Sequence, residues 1–151
     1  KREVDLEKGK TVFETNCIVC HGKNGQGLKS NEGYAYQYPP LWGKDSYNDG
    51  AGMTRVITAA RFKKANMPYG TTYENPILTD EEAYDVAGFI NQQQRPTKKN
   101  RERDFPDLQK KPVSTPYPPY ADTFSIKQHK LEPFLPIIEY YKSEYNIVKS
   151  K

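Results

Sequence analysis

Cys17, Cys20 and His21 stand in the run Cys17-Ile18-Val19-Cys20-His21, and any chemistry in this chain starts from them. The chain has two cysteines and two histidines in 151 residues, so the alternatives are few. A structural zinc site takes four ligands, and there is no second cysteine pair, with His129 the one histidine outside the run. A dithiol redox pair belongs to a βαβ pattern, and none precedes Cys17. The third chemistry is covalent attachment of a c-type haem, for which C-x-x-C-H is the signature. Two cysteines three apart on a helical turn project to the same side, where thioethers fix the porphyrin. His21 then falls over the iron as proximal ligand.

Such a site needs elements that hold it. Gly9, Phe13 and Cys17 recur every four residues and so share one face of a helix expected over residues 3–16. Glycine on that face lets a second helix cross closely, and Phe13 can pack beside the haem. Gly22 to Gly33 is glycine-rich and polar, hence loop. A second helix is expected over residues 52–64, with Met53, Val56, Ile57, Ala60 and Arg61 at helical spacing. A third begins at Thr79, where Glu82 three residues on completes a capping box. Asp80 and Glu81 occupy its first turn, Val86, Phe89 and Ile90 give it an apolar face, and Pro96 ends it. The expectation is an all-α haem domain whose first and last helices cross.

The iron needs a second axial ligand, usually Met or His, and the candidates are Met53, Met67 and His129. Met53 lies among apolar residues of a helix, which favours core packing. His129, between Gln128 and Lys130, reads as polar and surface-like, or as a hydrogen-bonding anchor for the tail. Met67 sits between helices with Pro68 after it, suited to a ligand held rigidly, and is the favoured candidate. The proximal histidine also needs a partner for its other ring nitrogen. In Pro39-Pro40-Leu41-Trp42-Gly43 the Pro39 carbonyl can accept from His21 Nδ1 while Leu41 packs on the macrocycle. Tyr34, Tyr36 and Tyr38 alternate just before and are candidates for a haem propionate or for plain packing.

These residues resemble the class I c-type cytochromes: Gly9/Phe13/Cys17, Cys17-x-x-Cys20-His21, Pro39-x-Leu41-x-Gly43, Met67-Pro68 and Val86/Phe89 of the last helix. More narrowly, Pro40-Leu41-Trp42-Gly43, the segment Ser46 to Met53, Ala65-Asn66-Met67-Pro68 and Leu78 to Ala83 are similar to the C-terminal haem domain of dihaem thiosulfate dehydrogenases. Asp104-Phe105-Pro106-Asp107 and Gln128-His129-Lys130 extend that similarity into the tail. The resemblance implies an electron-exit haem. In that family thiosulfate is oxidised at another haem, in a preceding domain, with a cysteine on its iron. This chain has one C-x-x-C-H and no spare cysteine. Some members exchange the methionine with a lysine just before it. Here that position is Asn66, which implies a fixed His/Met haem.

The remaining composition bounds the reading. All ten glycines lie at or before Gly88, while eight of the twelve prolines follow Arg95. Residues before Arg95 carry 11 basic and 12 acidic side chains, and those from Arg95 onward carry 12 and 7. That shift divides the chain into a haem domain, 1–95, and a Pro/Tyr-rich, largely irregular strap, 96–151, wrapped on it rather than forming an independent domain. Proline density forbids long regular structure to about residue 120, and a short helix is expected after Pro136. A net charge of +4, scattered rather than striped, excludes a nucleic-acid binder. No run approaches the ~18 apolar residues of a membrane span.

The expected function is a monohaem carrier passing single electrons between redox proteins, with the basic excess steering it to an acidic docking surface. The alternative is a haem subunit or fragment of a thiosulfate dehydrogenase-like enzyme. Haem attachment implies a periplasmic or otherwise extracytoplasmic place. The start at Lys1 reads as a processed or trimmed chain in which a preceding anchor is compatible with the rest.

Overall fold

The computed structural model of the chain describes residues 2–150. Helix α1, Leu6–Asn16, starts where the Asp5 side chain accepts from Lys8 N, three residues later than residue 3. Its Gly9 lies against helix α4, Asp80–Gln92. A Cβ on Gly9 would stand 2.1 Å from the Asp85 carbonyl oxygen, so the two backbones meet where no other residue fits. The crossing is closed at its end by Asp85, which is 2% exposed. Arg2 binds its carboxylate with both terminal nitrogens at 2.8 and 2.9 Å, and Asp5 N donates at 2.9 Å. That bidentate pair raises the Arg2 guanidinium further above its ordinary value.

Helix α4 begins with the expected capping box. Glu82 N donates to Thr79 Oγ1 at 3.2 Å and Thr79 N donates to Glu82 Oε2 at 2.9 Å. Those bonds favour the ionised carboxylate, and the Glu82 carboxyl is lowered accordingly. The helix expected over 52–64 is divided. Gly52–Thr54 is a 3₁₀ turn, and helix α3, Val56–Asn66, starts only after Arg55. Thr54 causes the break by donating its hydroxyl to the carbonyls of Asp49 and Ala51, at 3.0 and 2.6 Å, in place of helical continuity. The short α2, Ile18–His21, carries the second cysteine and the histidine. The fold is mostly helical, as expected, but the glycine-rich segment read as loop contributes a two-stranded sheet. Strand β1, Leu28–Lys29, pairs antiparallel with β2, Tyr36–Tyr38.

Two apolar cores result. One gathers Val12, Phe13, Leu78, Ala83, Val86 and Ile90. The other joins Val4, Val56, Ala59 and Ala87 to Val113, Leu131, Phe134, Ile137 and Tyr141 from beyond residue 95. The strand-like contact of Val4 N with the Leu131 carbonyl, 3.1 Å, adds to it. Segment 96–125 has two 3₁₀ turns and otherwise irregular backbone. Helix α5, Ile126–Leu131, was not expected, and α6, Leu135–Tyr145, places Pro136 in its first turn, where a missing N–H is harmless. Among the described residues no helix is long and apolar enough to cross a membrane.

His129 corrects the surface reading of its neighbourhood: it is 1% exposed. Its Nδ1 donates to the Val113 carbonyl at 2.7 Å, and Nε2 lies 3.1 Å from Asp122 Oδ1. Tyr141 donates to Asp122 Oδ2 at 2.8 Å, and the Tyr120 ring stacks on the imidazole at 3.6 Å. The anchoring role is therefore the one the structure bears out. His129→Ala should leave the buried Val113 carbonyl without its donor and take from the buried Asp122 carboxylate one of its contacts, at a cost of about 2–4 kcal/mol. For a chain of this size that is a fall in Tm of about 5–15 °C. A thermal melt unchanged within about 1 °C contradicts the anchor.

Candidate haem site

The attachment residues are set by consecutive helical turns. Cys17 N donates to the Phe13 carbonyl at the end of α1, and His21 N donates to the Cys17 carbonyl, both at 2.9 Å. Cys17, the cap between α1 and α2, and Cys20 on α2 thus sit one turn apart and are not joined to each other. Burial pushes the Cys17 thiol up to about 11, with Lys63 pulling weakly the other way. A redox dithiol works through a lowered thiol, so this environment speaks against thiol–disulfide chemistry. A thioether carries no ionisable proton and fits it.

His21 is 9% exposed, and its Nδ1 lies 2.8 Å from the Pro39 carbonyl oxygen. A carbonyl only accepts, so Nδ1 carries the proton and Nε2 keeps its lone pair free for a metal. The backbone brings this about. Gly27 takes φ +75, and a Cβ there would stand 2.6 Å from the Tyr38 carbonyl oxygen and 2.8 Å from Pro39 C. Gly27 N donates to the His21 carbonyl at 2.8 Å, and Leu41 N donates to the Gly25 carbonyl at 2.8 Å. The β1–β2 pair, with Leu28 opposite Tyr38, places Pro39 just past the strand end.

Apolar side chains wall the same region. Phe13 lies 5.1 Å from Trp42 and 5.5 Å from Phe89 between ring centres, and Trp42 meets Phe89 edge-on at 6.1 Å. Leu41, Cys17 and Ile18 pack on this cluster. Free nitrogen on His21, paired cysteines on one turn and an aromatic wall fit a covalently held, flat apolar group. A zinc ion does not fit, because among the described residues no three His, Cys, Asp or Glu side chains converge.

Met67 stands at the C-terminal cap of α3, half-buried, with its N–H donating to the Lys63 carbonyl at 2.9 Å. Lys63, one turn earlier on the same helix, is buried. Met53 packs on the second core and His129 lies in the tail network, so the structure takes both away from the haem turn. Of the three tyrosines, Tyr34 is 98% exposed and Tyr36 donates to Asp45 at 3.1 Å. Tyr38 alone meets His21, edge-on at 6.3 Å. Sequence reasoning passed over Gly25, Gly27, Lys63 and Arg95. Lys63 had a signal: it continues the buried stripe of Val56 and Ala59 on α3.

Comparison with known proteins agrees with this geometry. The cytochrome c family model matches residues 6–94. The thiosulfate dehydrogenase of Stutzerimonas stutzeri (strain A1501) is 49% identical over 92 residues, covering 61% of this chain and 28% of that protein. That of Psychrobacter arcticus (strain DSM 17307 / VKM B-2377 / 273-4) is 42% identical over 105 residues, 70% of this chain and 31% of its own length. The solved "as isolated" thiosulfate dehydrogenase (TsdBA) from Marichromatium purpuratum superposes with a TM-score of 0.59 at 41% identity. It covers 69% of this chain and 22% of that one. The chain therefore spans about a third or less of the length of these relatives. Attachment turn, histidine partner, helix crossing and family match converge: the chain belongs to the cytochrome c family, as a haem electron-transfer protein with covalently bound haem c.

Proposed function

We propose that this chain is a monohaem carrier passing single electrons between extracytoplasmic redox proteins. In this reading Cys17 and Cys20 hold the macrocycle, and His21 and Met67 are the axial ligands. The haem supplies the ferrous/ferric couple, and Met ligation raises its potential relative to two histidines. The protein's own part is positional. Pro39 fixes the His21 ring through the 2.8 Å bond that carries this reading. Leu41, Phe13, Trp42 and Phe89 exclude water, and the end of α3 presents Met67. Segment 96–151 acts as a strap on residues 1–95 rather than an independent domain, supported by the shared core of Val4, Leu131, Phe134 and Ile137. The basic excess favours an acidic partner through steering.

The second reading is the haem domain of a larger thiosulfate dehydrogenase-like enzyme. It is favoured by the identity of 49% and 42% to two thiosulfate dehydrogenases of which the chain spans 28% and 31%. Both readings give this haem the same task. Mixing the ferric chain with thiosulfate separates them from catalysis by the chain itself. The haem should stay oxidised, while a small acidic redox protein reduces it at a rate that falls as salt rises. The ferrous protein should also bind CO slowly, because Met67 closes the sixth position. Thiosulfate turnover by the chain, or CO binding within the mixing time, contradicts the carrier.

A further inference from the structure

The loop that fixes the proximal histidine cannot hold itself. Pro39 and Pro40 carry no N–H, so past strand β2 the backbone has no donor until Leu41. Leu41 N donates to the Gly25 carbonyl at 2.8 Å, which ties the loop to the segment just after His21. The other tie comes from beyond α4. Arg95 Nη1 donates to the Leu41 carbonyl at 3.3 Å and Nη2 to the Ile90 carbonyl at 2.9 Å, so one guanidinium bridges the loop and the last turn of α4. The centre of the Tyr47 ring lies 4.3 Å from the same guanidinium and backs it. Backbone bonds repeat the join: Gly43 N donates to the Gln94 carbonyl at 2.8 Å and Asp49 N to the Pro96 carbonyl at 2.9 Å. Two residues before Leu41 stands Pro39, whose carbonyl accepts from His21 Nδ1 at 2.8 Å.

We propose that Arg95 is a positioning residue for the electron-transfer centre, a role that rests on the haem reading with His21 as ligand. By fixing Leu41 it keeps the Pro39 carbonyl on His21 Nδ1, and so helps to set the potential. The fork geometry is what suits it. A guanidinium offers several donors in one rigid plane and serves two carbonyls at once, whereas a lysine ammonium is a point charge on a flexible stem. A firm bond at Nδ1 strengthens the ring as a donor to iron and favours the ferric state. Loosening that bond raises the potential, while loss of a positive charge near the iron lowers it. Positioning and plain charge therefore have opposite signs.

The test uses the intact holoprotein with Arg95→Lys, which keeps the charge and breaks the fork, and an exposed control, Lys99→Gln. Arg95→Lys should shift the one-electron equilibrium about threefold toward the ferrous form. At about 59 mV per tenfold, that is a rise in midpoint potential of about 28 mV. The His21 ring N–H, followed by NMR in the ferrous protein, should exchange with solvent about tenfold faster. The Val86 amide in the middle of α4 should stay within about twofold of the parent, which separates a local role from a general loosening. Lys99→Gln should move none of these readings. Tyr47→Leu, which removes the ring behind the guanidinium and leaves the charge, should act in the same direction and gives the answer if Arg95→Lys does not accumulate. An unchanged or lowered potential, a ring N–H that exchanges at the parent rate, or equal acceleration at Val86 overturns the role of Arg95. A parent protein without covalent haem fails earlier and separately, against the haem reading itself.

Discussion

A chain carrying Cys17→Ala and Cys20→Ala together releases all of its haem to acid–organic extraction, while the parent retains it. The cysteines lie one turn apart at the α1–α2 junction and have no other task, being unpaired with each other. The structural effect is as large as the chemical one. Phe13, Leu41, Trp42 and Phe89 pack into an apolar wall that an attached macrocycle would cover. Anything that binds only the folded chain stabilises it by mass action, and a covalent tether makes the local concentration very high. Loss of both thioethers should remove more than about 5 kcal/mol, comparable to the whole stability of a small domain. Haem that remains with the double variant through extraction contradicts the attachment chemistry.

Gly9→Ala should lower Tm by about 6–15 °C. Helix propensity alone argues the other way, since alanine is better than glycine inside a helix by about 1 kcal/mol. The crossing decides the sign. The added Cβ would lie 2.1 Å from the Asp85 carbonyl oxygen, 2.6 Å from its carbon and 2.9 Å from Phe89 Cβ. Two of these three are backbone atoms of α4, so a side-chain rotation does not relieve them. The helices must separate, which loosens Phe13 and Val86 and pulls Arg2 and Asp5 off the Asp85 carboxylate. Overpacking of this kind costs about 3 kcal/mol or more, and the conversion to Tm follows from chain size. A Tm equal to or above that of the parent in a thermal melt rules out this crossing.

What the residues disclose on their own depends on how local the cause is. The capping box of Thr79 and Glu82, the Gly9 face and the Cys17–His21 run are short-range patterns, and the structure contains each of them. The His21–Pro39 bond spans 18 residues but was still legible, because a proximal histidine needs a partner and Pro39 lay in a suitable loop. The split of the second helix was hidden, because Thr54 competes with the helix through its own hydroxyl rather than through any loss of periodicity. The β1–β2 pair is made of two short strands, one inside the glycine-rich segment and one just after it, both too short to show alternation. His129 reads as polar from Gln128 and Lys130, and its burial comes from Val113, Asp122 and Tyr120, all distant in local pattern.

The most direct test of the account is the visible spectrum of the ferric protein, recorded for the parent and for Met67→Ala. A c-type haem with His21 and Met67 as ligands gives a weak charge-transfer band from the ferric methionine–iron bond. That band should be present in the parent and absent from Met67→Ala, with the covalent haem spectrum otherwise retained. A parent lacking the band, or a Met67→Ala protein that keeps it, contradicts the His21/Met67 haem.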